Sequence, residues 1–226
     1  MGAITLSKAN RLFWLGRYLE RVYTAIKATR EIFEADTDGA EGDYPAYCRA
    51  LGIPNEYRDT ADFCRRYYFD AENPVSVSAA LNCAYDNAIV LRETLSSETL
   101  AYVQMSINAM ELAAASNGPG VQLQWVLDDI MAFRGSCEEH LDDESSRNTI
   151  KTGASLERVD LYLRLGCPAP DCEREFNRLL NRLYKTHLVP VQEHLNVLVD
   201  AVLDPSKPAP PVPVLVSALE SLFITV

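Results

Sequence analysis

Apolar residues recur at steps of three and four along almost the whole of this chain, and nowhere do they alternate over a convincing length. One buried helical face requires a period near 3.6, whereas a half-buried strand requires a period of two. The expected fold class is therefore all-α, a multi-helix bundle. Leu12, Leu15, Leu19, Val22 and Ile26 fall on one stripe of a first helix, which Ser7 can cap and the stretch Thr37 to Asp43 ends. A short helix over Ala46 to Leu51 stops at Gly52 and Pro54, and Asn55 reads as the cap of a helix reaching Tyr68. After Asn73-Pro74, Ser76 opens a helix through Ala80, Ala84, Ala88 and Leu91, and Ser96 or Ser97 opens the next. Asn117-Gly118-Pro119-Gly120 breaks it. Val121 to Leu141 is helical, Asp142 to Asn148 reads as a polar loop, and Thr149 to Leu165 is helical up to Gly166-Cys167-Pro168. Asp171 reads as the cap of a long last helix through Leu179, Leu183 and Leu195, kinked or divided at Pro190.

Two segments inside this pattern match each other. Gly16 to Val22 and Gly153 to Val159 both read G-x-x-L-E-R-V. A glycine inside a helix costs about 1 kcal/mol relative to alanine, so its presence points to a close approach of another helix. The four-residue step from each Gly to its Glu places both on one face. The repeat predicts a pseudo-twofold arrangement in which Glu20 pairs with Arg158 and Glu157 with Arg21, since a buried charge needs a partner. The plainer alternative is that these are surface ion pairs on ordinary amphipathic helices.

The domain reading is a helical bundle over residues 1–203, a stiff Pro-rich linker over 204–213, and an apolar C-terminal helix or tail over 214–226. The linker carries Pro205, Pro208, Pro210, Pro211 and Pro213, and the tail is expected to dock on the bundle or on a partner.

Charge narrows the partners. Against 21 Lys and Arg stand 32 Asp and Glu, a net −11 over 226 residues, which repels phosphate backbones and anionic bilayers alike. Neither a nucleic acid nor a membrane is an expected partner. The start of the chain lacks the basic and apolar regions of a secretion signal, so the six cysteines are expected to be reduced thiols of a cytoplasmic protein. Cys167 and Cys172 have no second Cys or His pair to complete a zinc site, and no E-x-x-H motif offers a di-iron site. No metal and no cofactor is expected, and no Gly-rich loop cradles a nucleotide.

The segment Leu12-Phe13-Trp14-Leu15-Gly16-Arg17-Tyr18-Leu19-Glu20-Arg21 resembles the first signature of the bacterial alpha-E domain family. Asn87-Ala88, Arg92-Glu93 and Leu95-Ser96-Ser97-Glu98 are similar to its second, and Gly153 to Asp160 to its third, G-x-x-L-E-R-x-D. The three follow in the family's order between residues 6 and about 165; Phe13 stands where Tyr is common, and Tyr85-Asp86 replaces Arg-Glu before Asn87. Such domains tend to be encoded beside, or fused to, circularly permuted ATP-grasp enzymes. The resemblance therefore implies work with an ATP-grasp amide or peptide ligase, in peptide or amide-bond metabolism.

The candidate ligand or interface residues are Arg17, Glu20, Arg21, Asn87, Arg92, Glu98, Glu157, Arg158 and Asp160. Glu20, Glu98 and Glu157 can converge in a bundle interior with the arginines, either to clamp an amino-acid or peptide carboxylate or as a structural ion-pair network. No catalytic nucleophile is evident. Three readings stand: an accessory subunit of the ligase, a stand-alone amide-acting enzyme with Glu acid–base groups, and a homo-oligomeric structural module.

Overall fold

The structure is a computed structural model and describes residues 6–204 and 206–223, the Thr37 side chain excepted. Pro205 of the linker and residues 224–226 of the tail lie outside the described residues. All regular structure among the described residues is helical: α1 (Leu6–Ala28), α2 (Arg30–Thr37), α3 (Tyr44–Leu51), α4 (Thr60–Phe69), α5 (Val77–Val90), α6 (Ser97–Ala114), α7 (Gly120–His140), α8 (Glu144–Arg164), α9 (Ala169–Leu183), α10 (Gln192–Leu203) and α11 (Val212–Glu220). The all-α expectation holds. The chain divides into two compact units. One joins the described residues up to Arg17 with those from Asp143 onward; the other is Tyr18–Asp142.

Boundaries differ from the sequence expectation where a side chain competes with the backbone. The first helix is interrupted at Thr29, whose buried hydroxyl donates back to the Ala25 carbonyl at 2.8 Å and also meets the Tyr68 hydroxyl. Such back-bonding bends helices. Asp59, not Asn55, caps α4, its carboxylate accepting from the Asp62 N–H at 2.8 Å. The expected loop before Thr149 is largely helix, because Asp143 accepts from the Ser146 N–H at 3.0 Å and starts α8 at Glu144. α9 begins at Ala169 rather than after Asp171, with Pro170 in the first turn, where a missing N–H costs nothing. The last long helix is divided: α9 ends at Leu183 and α10 starts at Gln192, two residues beyond Pro190. Pro213 likewise sits in the first turn of α11.

The first unit is built on a helix crossing with backbones in contact. A Cβ placed on Gly16 would lie 2.0 Å from the Ile150 carbonyl oxygen, and one on Gly153 would lie 2.0 Å from that of Phe13. The contact is reciprocal, since each glycine meets the carbonyl three residues before the other. Around it Phe13, Leu156 and Val159 share one core with Phe176 and Leu179 of α9, Leu198 of α10 and Leu215 and Leu219 of α11. The C-terminal helix is thus part of this core, tied also by the Val191 N–H to the Leu222 carbonyl at 2.8 Å.

In the second unit α6 and α7 pack along each other, and Ala109, Ala113, Val126 and Ile130 are buried there. α3 and α4 add an aromatic core in which Phe63 stacks on Tyr44 and on Tyr67, with ring centroids 5.3 and 4.9 Å apart. The polar tips are satisfied by one another, Tyr47 and Tyr67 sharing a 2.8 Å hydrogen bond. Among the described residues no helix is long and apolar enough to cross a membrane.

The crossing makes a sharp prediction. Gly153→Ala is expected to lower stability by about 1–3 kcal/mol, because the added methyl must force two backbones apart, although helix propensity alone would favour alanine by about 1 kcal/mol. Gly135→Ala, at an exposed position of α7 with open space around it, is expected to raise stability by up to about 1 kcal/mol. Urea unfolding of the two variants checks this, and a neutral or stabilising Gly153→Ala would contradict the crossing.

Candidate functional site

The shared residues of the repeat have the same burial in both copies. Gly, Leu, Glu and Val are buried and Arg is half-buried, with Glu20 and Glu157 each only 1% exposed. Carboxylates so far from water must be charge-paired, and each has a close guanidinium within its own unit.

In the first unit Arg17, the residue after the crossing glycine, donates from Nε to Glu157 Oε2 at 2.7 Å. Its guanidinium also lies over the Trp14 ring, 4.7 Å from the centroid, so the charge is sandwiched between an anion and a π face. Asp160 follows Glu157 by three residues and shares its side of α8. It is buried and accepts from Arg164 Nε at 3.0 Å, while Arg164 Nη2 donates to Glu220 of α11 at 2.7 Å. Burial holds the Asp160 carboxyl above its ordinary pKa; Arg164 and Arg17 pull it down and Glu157 pushes it further up. Arg158, turned about 100° from Glu157, reaches α9 and donates to Glu175 Oε2 at 3.0 Å. Glu175 is itself buried and also takes Arg178 at 2.6 Å.

In the second unit Glu20 accepts from Arg134 Nη2 at 2.6 Å and from the Thr24 hydroxyl at 3.1 Å. Arg134 lies over the Tyr23 ring, 4.3 Å from the centroid. Arg21 stands over the Tyr18 ring at 5.7 Å, and Asn87 is half-buried on α5.

Two expected members of a buried cluster are at the surface instead. Arg92 is exposed after α5 and, among the described residues, pairs only with the exposed Glu93, at 3.6 Å. Glu98 occupies the first turn of α6, with 60% of its side chain exposed and its carboxylate 3.2 Å from His140 Nε2. Ser96 caps that helix, so Glu98 sits where a carboxylate favours the positive helix end, and that local role keeps it in water. Glu98 thus lies at the surface and not in a bundle interior.

Arg134, Arg164, Glu175 and Thr24 are the partners the motifs did not name. Asp160–Arg164 is an i, i+4 pair and Glu175–Arg178 an i, i+3 pair, so spacing carried that signal; Arg134 carried none, being 114 residues from Glu20. The open cationic surface also lies outside the motifs. Lys27 and Arg30 border a cleft of about 270 Å³ with Tyr23, Gln124, Asp128 and Met131, and Arg30 reaches Asp128 only through Gln124, at 2.8 and 2.9 Å.

Chemically the buried carboxylates of the motifs are paired: Glu20, Glu157 and Asp160 each accept a hydrogen bond from an arginine. The six cysteines form no disulfide, and burial pushes the thiols of Cys48, Cys167 and Cys172 up, and that of Cys64 to about 12, away from thiolate chemistry. Among the described residues no group of three His, Cys, Asp or Glu side chains is placed to hold a metal ion.

Residues 6–167, well over half of the chain, match a family described as a predicted alpha-helical domain with a conserved ER motif. Within those residues the dipeptide Glu-Arg occurs as Glu20-Arg21 and Glu157-Arg158. No curated protein and no solved structure matches the chain.

The pairs predict how the protein responds to mutation and to acid. Arg17→Ala strands Glu157 in the core and is expected to cost about 3–5 kcal/mol, whereas Arg92→Ala should stay within about 0.5 kcal/mol; chemical denaturation separates them. Asp62, buried beside Arg58, Arg65 and Arg66, has its pKa lowered to about 2. Burial opposes that shift, and the Arg58 N–H and the arginine side chains outweigh it. A lowered folded-state pKa gives stability that is present above the unfolded value, near 4, and is lost as pH falls toward 2. Stability measured across that window should fall less steeply in Asp62→Asn than in the native chain.

Proposed function

Because the chain belongs to the Alpha-E family, we propose that it is a non-catalytic helical subunit that works with an ATP-grasp amide or peptide ligase. The observation that carries this reading is the Arg17–Glu157 pair, buried and closed at 2.7 Å. On this reading the buried motif residues hold helices together. Glu20 and Asp160 are engaged in the same way, by Arg134 and Arg164. A stand-alone amide-acting enzyme would need a carboxylate open to substrate and poised to exchange a proton. Burial raises the pKa of the Asp160 carboxyl, and Arg164 engages it at 3.0 Å. A ligase partner would supply the nucleotide site and the chemistry, and this chain would supply a rigid surface.

Co-expression with an ATP-grasp ligase of the same genome tests the proposal. The two proteins are expected to co-elute, and amide formation is expected to require both. The isolated chain is expected to turn over no amide or peptide. Turnover by the chain alone, lost in an Asp160→Asn variant that melts like the native protein, would overturn the proposal in favour of an independent enzyme.

A further inference from the structure

The second unit leaves large apolar side chains in water on one pair of helices. Met105 and Leu112 of α6 are 47% and 55% exposed, and Val121, Trp125 and Met131 of α7 are 60%, 46% and 49% exposed. Met105, Asn108 and Leu112 follow steps of three and four, so they line one side of α6. Together with Ala109 and Trp125 they border an open groove of about 340 Å³. Single exposed apolar residues need no explanation, but a contiguous patch holding a tryptophan is the composition of a binding surface.

Two carboxylates, Asp128 and Asp129, line the same groove. Asp128 accepts from Gln124 at 2.9 Å, and Asp129 has no cation within ion-pair distance among the described residues. Partial burial and the neighbouring Asp128 hold the Asp129 carboxyl above its ordinary pKa. A cation brought by a partner would relieve that repulsion.

We propose that this groove docks an amphipathic helix of a partner protein, seating apolar residues against Met105, Leu112 and Trp125 and placing Lys or Arg against Asp128 and Asp129. The proposal rests on the reading of the chain as a partner-binding subunit and adds where the partner binds and with what chemistry. Two other occupants fit less well. The chain's own apolar C-terminal helix is already engaged, with Leu215 and Leu219 only 4% and 1% exposed in the core of the first unit. A second copy would bring another net −11 to an acidic rim. A basic amphipathic helix answers both the apolar floor and the rim charge.

The test uses the full chain and two labelled model peptides about five turns long, both with a leucine face and with either Lys or Glu on the polar face. Fluorescence anisotropy reads their binding. The Lys peptide is expected to bind, and more weakly as salt is raised, with the Glu peptide at least about tenfold weaker. Trp125→Ala, compared with the native protein once its melting curve shows that it is folded, is expected to weaken the Lys peptide at least about tenfold. The double variant Asp128→Asn, Asp129→Asn is expected to narrow the gap between the peptides and flatten the salt dependence. Equal binding of both peptides, or binding indifferent to Trp125→Ala, overturns the proposal. Self-association in sedimentation that Trp125→Ala abolishes overturns it in favour of a second copy. Trp125-dependent peptide binding without ligase co-elution supports the groove and rejects only the ligase as partner. Ligase co-elution that Trp125→Ala leaves intact rejects the groove and keeps the ligase.

Discussion

The first unit depends on two absent side chains. With carbonyl oxygens 2.0 Å from where the Cβ atoms of Gly16 and Gly153 would be, α1 and α8 touch through their backbones. A contact that close fixes the axial position of one helix on the other, because a shift by one residue would put a side chain into a carbonyl. Everything next to the glycines inherits that register. Arg17 is one residue past the first glycine and Glu157 four past the second, so the crossing sets the two within 2.7 Å of each other. Burial makes the pairing consequential. A charge pair in the core gives little net stability, but a charge left alone there is expensive. The ion pair therefore acts mainly as a penalty on every other register, and the glycines make the correct one reachable.

The two copies of the repeat share five residues and differ at two, Arg17-Tyr18 in one and Ala154-Ser155 in the other. Glu157 takes its close guanidinium from Arg17, on the helix that crosses its own. Glu20 takes Arg134 of α7 and the Thr24 hydroxyl within its own unit. Glu175 and Asp62 follow the same habit on a larger scale, each buried and each ringed by arginines of its own neighbourhood. A chain with a surplus of carboxylates can bury several of them only by spending its arginines in this way.

How far this was legible follows from the range of each signal. Helix faces are local, and the stripe Leu12, Leu15, Leu19 and Val22 is buried as its period requires. Caps are local too, but several residue types compete for them, which is why Asp59 displaced Asn55 and Asp143 turned a polar loop into the first turn of α8. The mid-helix glycines announced a close approach because no local physics favours them. The ligands of the buried carboxylates were legible only where they lay one turn away, as Arg164 does from Asp160. Arg134 is set by the packing of α7 in three dimensions, and nothing in its neighbourhood in the sequence marks it. Glu98 shows the opposite case, a motif residue whose local role at a helix start outranked any long-range one.

These observations separate what holds the molecule together from what it offers to others. The family signature lies mostly in the interior, where its charges cancel in pairs and its glycines remove bulk. Such residues tolerate little change for reasons of packing alone, so their recurrence as a signature requires no shared active site. Recognition needs the reverse condition, with apolar area and charge left uncompensated at the surface. The exposed rows of α6 and α7 meet it, with Trp125 half in water and Asp129 beside another carboxylate. None of those residues belongs to the signature.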